Sequence, residues 1–308
     1  MPSAAGRRCV VWCFGDGKRG HENQLRGLLM ALAARLDVAA QWLSPLSAGK
    51  ALRALFAGRY PETVPLGRPD LLVGAGHGTH LSVLAARRCF GGRAVILMRP
   101  SLPAGLFDLC VIPEHDSPRR GVKVVVTRGV LNAVQPGVEH DPKRGLILIG
   151  GPSLHHDWDA ELMLMQITTI CDADSDVEWT MTTSRRTPGD FLGEVRRLGF
   201  LNLETVSHED TGPGWVPEHL ARAGTVWVTE DSVSMVFEAI TSGAAAGLLE
   251  LPRQQTDRVT RGMDALVADG LLTRFSDWQP TEALRVEREP LNEAARVAGI
   301  IVQRWFND

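Results

Sequence analysis

Residues 225–243, TVWVTEDSVSMVFEAITSG, read as a buried strand, a polar turn and a helix. Residues 226–229 are a β-branched and aromatic run of strand length, and Asp231 or Ser232 is a good N-cap for the helix that follows. At about 100° per residue, Val233, Val236, Phe237 and Ile240 share one side, suited to a sheet, while Asp231, Ser234, Met235, Glu238 and Ser242 fall on the other. That second side is small and hydrogen-bonding, where a surface helix ordinarily carries Lys, Arg and Glu. A solvated, well-capped helix is one reading. The other is a ligand site at a helix N-terminus, where free N–H groups and the dipole attract phosphate and Glu238 accepts from sugar hydroxyls.

The same alternation extends outward in both directions. On the N-terminal side, strand-like runs at 9–14, 38–43, 71–74, 94–98, 109–112 and 122–127 are separated by helical patterns at 46–57 and 81–90 and by the stripe Leu25, Leu28, Leu29, Leu32 and Leu36. Between 131 and 144 neither period holds, and NAVQPGVEHDPKR marks a domain boundary. Strands then recur at 146–149, 177–182, 202–206 and 246–251, with helices at 157–171, 190–198 and 257–268. A last helix carries Leu291, Ala294, Ala295, Ala298, Ile301, Val302 and Trp305 on one side. The pattern predicts an α/β protein of two Rossmann-like doubly wound domains facing a cleft, 1–135 and 145–290. Residues 291–308 form a helix that returns toward the first domain and packs across both. Ligand loops of such domains lie at the carboxyl ends of the strands.

Bulk properties narrow the function. A chain of 308 residues suits two domains. Lys+Arg 33 against Asp+Glu 36 gives a net charge of -3, which argues against nucleic-acid binding. Five scattered cysteines in mostly apolar runs suit reduced, buried thiols. Cys9 and Cys13 would stand roughly 13 Å apart on a strand at about 3.3 Å per residue, too far to share a metal. No apolar run approaches the roughly 20 residues that span a bilayer, and MPSAAGRR leads straight into a strand. The expectation is a cytoplasmic protein, with peripheral contact on the inner membrane face compatible with a lipid-linked substrate.

The loops leaving strands hold the chemistry. GDGKRGHENQ (15–24) has three glycines but neither P-loop nor dinucleotide spacing. Its His21 is a catalytic base, an acceptor-binding group or an exposed helix-start histidine. GAGHGTH (74–80) pairs glycine and histidine again, and PEHDSP (113–118) adds His115 and Asp116. In the second half, Gly150, Gly151 and Ser153 of GGPSLHHDWD would let backbone approach a ligand. His155, His156 and Asp157 superficially resemble metal ligands, although Asp157 is explained as an N-cap. TSRRTP (183–188) places Ser184, Arg185 and Arg186 where a diphosphate would be clamped. Asp172, Asp174 and Asp176 mimic a metal-holding Asp-x-Asp motif. They follow a helix and precede a strand, on the edge opposite the ligand loops, so the reaction is read as metal-independent.

GDGKRGHENQ, FDLCVIPEHDSP, LILIGGPS, TSRRTP and TEDSVSMVFEA, in that order, resemble the mitochondrial-fission (elongated mitochondria) family, whose bacterial members are regarded as glycosyltransferases. The resemblance runs from about Val10 to the last helix and implies GT-B architecture. It implies a C-terminal nucleotide-sugar site, UDP-, GDP- or CMP-linked, with Glu238 near the ribose, Ser232, Ser234 and Met235 near the diphosphate or sugar, and Arg185 on the phosphates. Gly151, Ser153, Ser184 and Asp231 complete the expected donor set. The N-terminal half would hold a lipopolysaccharide, glycolipid or polysaccharide acceptor at Gly17, Lys18, Gly20 and His77, with His21 or Asp16 taking the proton. At His77 the family pattern leads one to expect an arginine. The implied function is sugar transfer without a cofactor; the alternatives are a GT-B-shaped scaffold and, more weakly, a nucleotide-sugar epimerase.

Overall fold

The computed structural model describes residues 8–61, 67–137, 139–212, 214–284 and 291–307. The reading of the chain start as free of a leader falls on residues 1–7, outside the described residues. The chain divides into two compact units, one of 1–133 with 292–308 and one of 134–291.

In the first unit the order is β1 (Cys9–Phe14), α1 (Arg19–Ala33), β2 (Val38–Leu43), α2 (Ala48–Ala57), β3 (Leu71–Ala75), α3 (His80–Phe90), β4 (Arg93–Leu97), β5 (Leu109–Pro113) and β6 (Val124–Thr127). The six strands pair in parallel in the order β2-β1-β3-β4-β5-β6. A parallel sheet is covered on both faces, so its central strands are apolar throughout. Val11, Cys13, Val73 and Val95 pack under Leu25, Leu28 and Leu32 of α1, while Trp12, Phe14, Leu72 and Ile96 pack on the opposite face. Strand order reverses between β1 and β3, the topological switch point where an open α/β sheet receives ligands.

The second unit contains β7 (Asp141–Leu148), α4 (Ala160–Ala173), β8 (Glu178–Thr182), α5 (Phe191–Arg197), β9 (Leu203–Val206), α6 (Trp215–Leu220), β10 (Ala223–Thr229), α7 (Val233–Ser242), β11 (Ala245–Leu249), α8 (Arg258–Ala268) and β12 (Thr273–Arg274). Its order, β12-β11-β10-β7-β8-β9, reverses between β7 and β10. The closing helix α9 (Glu293–Trp305) belongs to the first unit, its Ala294, Val297, Ala298 and Ile301 joining the α1 side of that core.

Several boundaries differ from expectation for identifiable reasons. β7 starts at Asp141, inside the stretch read as linker, because β10 pairs with it from Ala223 onward. α4 starts three residues later than read. Its cap is Asp159, which accepts from Leu162 N at 3.0 Å, and Asp157 instead accepts from Gln254 Nε2 at 2.6 Å. Ser242 leaves the polar side of α7: it is buried, donating to Ala239 O at 2.7 Å. Helix α6 was absent from the periodic pattern. None of the five cysteines forms a disulfide, and burial pushes the thiols of Cys13 and Cys171 up to about 12. No helix among the described residues is long and apolar enough to cross a membrane.

Candidate functional site

At the first unit's switch point, the chain leaves β1 through Gly15, Asp16 and Gly17 and enters α1 after Lys18, the N-cap residue. His21, in the first turn of α1, places Nδ1 2.9 Å from both Asp16 oxygens. Both side chains are mostly shielded, 14% and 13% exposed. Burial works against ionising Asp16, but the His21 hydrogen bond and the Lys18 N–H outweigh it and hold the carboxyl below its ordinary range. A carboxylate on Nδ1 fixes the imidazole tautomer and leaves Nε2 with its lone pair, the arrangement a general base needs. The floor under this pair is Gly76, at the end of β3. Its φ of +85° suits glycine, and a Cβ there would come within 2.5 Å of His21 Nδ1 and 2.8 Å of Asp16 Oδ2.

The other residues read as acceptor contacts scatter around the pair. Gly17 adopts φ +79°, and Lys18 and Gly20 are exposed at the helix start. His77 is exposed at the head of a 3-10 turn. The histidine that is built in is His80, which was not singled out: it is buried, with Nδ1 3.1 Å from Ser101 Oγ and its ring edge-on to Phe107. His115 and Asp116 lie on a separate 3-10 turn, where Arg99 donates to Asp116 O at 3.1 Å.

At the second switch point, the loops leaving β7, β8 and β10 lock together. Asp231 is fully buried at its side chain and pairs with Arg186 at 2.5 Å. Its Oδ2 also accepts from Gly151 N at 3.2 Å. A Cβ on Gly150 would meet Asp231 Oδ1 at 2.2 Å, and one on Gly151 would meet Arg186 O at 2.3 Å. The glycines thus admit neighbouring protein, where the sequence suggested a ligand. Ser184 Oγ donates to Gly150 O at 3.0 Å, and Thr187 Oγ1 bonds the same carbonyl. Ser153 is consumed within its own turn, accepting from the N–H groups of His155 and His156 at 3.1 Å each.

This lock divides the expected donor set. Gly151, Ser153, Ser184 and Asp231 form the platform. Both arginines are exposed, but Arg186 is tied to the platform, also donating to Gly151 O and Pro152 O at 3.2 Å, whereas Arg185 is unpaired among the described residues. On the platform stands α7. Ser232 caps it without a side-chain bond, so the first-turn N–H groups, which have no intrahelical acceptor, are not claimed by that hydroxyl. Ser234 is exposed, and Ser232, Met235 and Glu238 are half-buried.

The sequence reading missed the ionic cluster behind this platform. Glu230, buried beside Asp231, accepts from Arg253 Nη2 at 2.8 Å, Arg253 Nε at 3.2 Å and Leu251 N at 3.1 Å. Arg274 Nη1 lies 3.5 Å away, and Asp264 bridges Arg253 and Arg274. Burial opposes the charge on Glu230, yet the adjacent His156 ring, the Arg253 guanidinium and the Leu251 N–H bring its carboxyl down to about 2. The histidines of the GGPSLHHDWD loop serve structure: His155 Nδ1 lies 2.5 Å from Asp257, the α8 cap, and His156 is buried 3.7 Å from Glu230. Asp172, Asp174 and Asp176 are exposed in the turn between α4 and β8, at the opposite edge of the sheet.

The family model described as Mitochondrial fission ELM1 matches residues 19–305. The chain belongs to that family. An uncharacterized protein of the Rickettsia prowazekii strain Madrid E, RP120, is 21% identical over 281 residues, covering 76% of this chain and 79% of its own. Among solved structures, one from Listeria monocytogenes described as a UDP-N-acetylglucosamine 2-epimerase aligns over 98% of both chains at 12% identity, with a TM-score of 0.62. A UDP-GlcNAc 2-epimerase from Neisseria meningitidis bound to UDP-GlcNAc aligns over 97% of this chain and 99% of its own, at 10% identity and a TM-score of 0.51. MurG of Acinetobacter baumannii aligns over 97% and 91%, at 16% identity and a TM-score of 0.50. At these identities the likeness is one of fold. This family member has the GT-B fold, with two parallel six-stranded sheets.

Proposed function

We propose that this family member is a glycosyltransferase that moves a sugar from a nucleotide donor to a cell-envelope acceptor, lipopolysaccharide or another glycolipid. The observation that carries the reading is the Asp16–His21 pair, a shielded imidazole oriented by a carboxylate at a sheet's switch point. The fold shared with the Neisseria meningitidis epimerase, which is bound to UDP-GlcNAc, supports a nucleotide sugar as the substrate.

In the proposed reaction, the first turn of α7 receives the donor diphosphate, and Glu238 accepts from the ribose hydroxyls. Ser232, Ser234 and Met235 line the sugar side. His21 Nε2 removes the acceptor proton while Asp16 holds the imidazole and stabilises the imidazolium that forms. The acceptor oxygen bonds to the anomeric carbon as its bond to the phosphate oxygen breaks. Arg185 and the helix end carry the charge of the departing nucleoside phosphate, with no metal assigned to that task.

A nucleotide-sugar epimerase is the second reading, supported by the full-length likeness to the Listeria monocytogenes protein. A partner-recruiting scaffold, suggested by the family's description, does not need the oriented histidine. Incubation of the protein with UDP-, GDP- and CMP-sugars, with and without lipopolysaccharide or extracted glycolipid, separates the three. Acceptor-dependent release of nucleotide is the expected result. A change of sugar configuration by NMR without transfer would identify the epimerase, and no turnover with any donor would leave the scaffold.

A further inference from the structure

Helix α2 presents a face that the fold itself leaves uncovered. Its inner stripe is small: Ala51 and Ala54 pack against Ala85 of α3, with Leu55, Leu81 and Tyr60 alongside. One turn apart on the outer side, Leu52 and Phe56 are 42% and 84% exposed. Residues three and four apart share a helix face, so these two side chains form one apolar ridge.

Along the described residues of this segment the charge is of one sign. Residues 38–61 contain no Asp or Glu but include Lys50, Arg53 and Arg59, in a chain whose net charge is -3. All three cations are exposed and carry no hydrogen bond or ion pair among the described residues. The helix packed beside α2 adds no opposing charge, since residues 71–107, which include α3, also lack acids, and Arg88 is exposed on it. An aromatic-aliphatic ridge on a short helix flanked by exposed cations is the pattern of a helix that lies in the plane of an anionic bilayer. The apolar side chains enter the acyl boundary, and the cations reach lipid phosphates.

We propose that the outer face of α2, through Leu52, Phe56, Lys50 and Arg53, with Arg59 just beyond the Gly58 C-cap, docks the protein on an anionic phospholipid surface. The sugar chemistry proposed above is not required for this. The test is cosedimentation of the full chain with vesicles of phosphatidylcholine alone and of phosphatidylcholine mixed with phosphatidylglycerol. Binding to the anionic vesicles only is expected, with release at raised salt. Leu52→Ser with Phe56→Ser, and separately Lys50→Gln with Arg53→Gln, should each weaken binding about tenfold or more. Because these side chains point outward, thermal unfolding of both variants should match the parent. Failure of the parent to bind anionic vesicles, equal binding to neutral ones, or undiminished binding by the variants would overturn the proposal. So would a concentration-dependent dimer that Phe56→Ser abolishes in a protein that binds no vesicles, which would assign the face to a second copy of this chain.

Discussion

Asp16, His21 and Gly76 meet within one van der Waals shell although they come from two separate loops. Asp16→Asn keeps the shape but removes the charge that orients His21. Turnover should fall by about 10²–10⁴-fold with donor binding unchanged. Gly76→Ala should fold less stably by roughly 1–3 kcal/mol and lose the same activity, because φ +85° disfavours a side chain and the new methyl displaces His21. The depressed Asp16 carboxyl adds stability at pH values above its unfolded range, and that contribution is lost as pH falls through the lower folded value. In sequence, His21 and Asp16 stood out because glycine-rich loops after strands collect functional side chains. Gly76 could not be linked to them, since the contact spans the β1–β3 neighbour relation. The arginine pair shows a similar limit. Adjacent residues in one turn are indistinguishable by type, and only the buried Asp231 decides which one is tied to the platform. Arg186→Ala should destabilise the protein by about 1–3 kcal/mol through an unpaired buried carboxylate, whereas Arg185→Ala should leave unfolding unchanged and weaken binding of nucleoside diphosphates.

Among elements, the ends of β10 and β11 are tied to α8 and β12 by Glu230, Arg253, Asp264 and Arg274. Glu230→Gln should cost about 3–5 kcal/mol in denaturant unfolding at neutral pH, because two arginines lose the carboxylate that compensates them. The carboxyl of Glu230 falls from 4.5 to about 2 on folding, so its contribution is full above pH 4.5 and disappears as pH drops toward 2. The parent should therefore lose more stability across that window than the variant. Apolar β-branched runs made the strands legible, as in CVVWCF of β1. α6 escaped because its six residues are too few for a helical period and include Pro217. The α4 cap was misplaced because Asp157 and Asp159 are equivalent in sequence, and the contact of Asp157 with Gln254 is tertiary. Glu230 looked like a turn residue for the same reason, with its main partner 23 positions away.

For the whole molecule, alternation of strand and helix identified the architecture, and the two strand-order reversals explain why site candidates gather at two places. What sequence could not separate was platform from ligand surface in the second unit. Gly151, Ser153, Ser184 and Asp231 have the residue types of a nucleotide site, and their hydrogen bonds are made to neighbouring protein groups. Ser234 of α7 and Arg185 stay exposed, and binding of a nucleotide sugar at this switch point is the central claim. Calorimetric titration of the full chain with UDP, GDP, CMP and their sugars tests it most directly. At least one nucleotide should bind, and Glu238→Ala should weaken it by about tenfold or more, the loss of a hydrogen bond to a charged group. Asp16→Asn should bind as the parent does. No binding by any of these nucleotides, or an affinity untouched by both Glu238→Ala and Arg185→Ala, would contradict it.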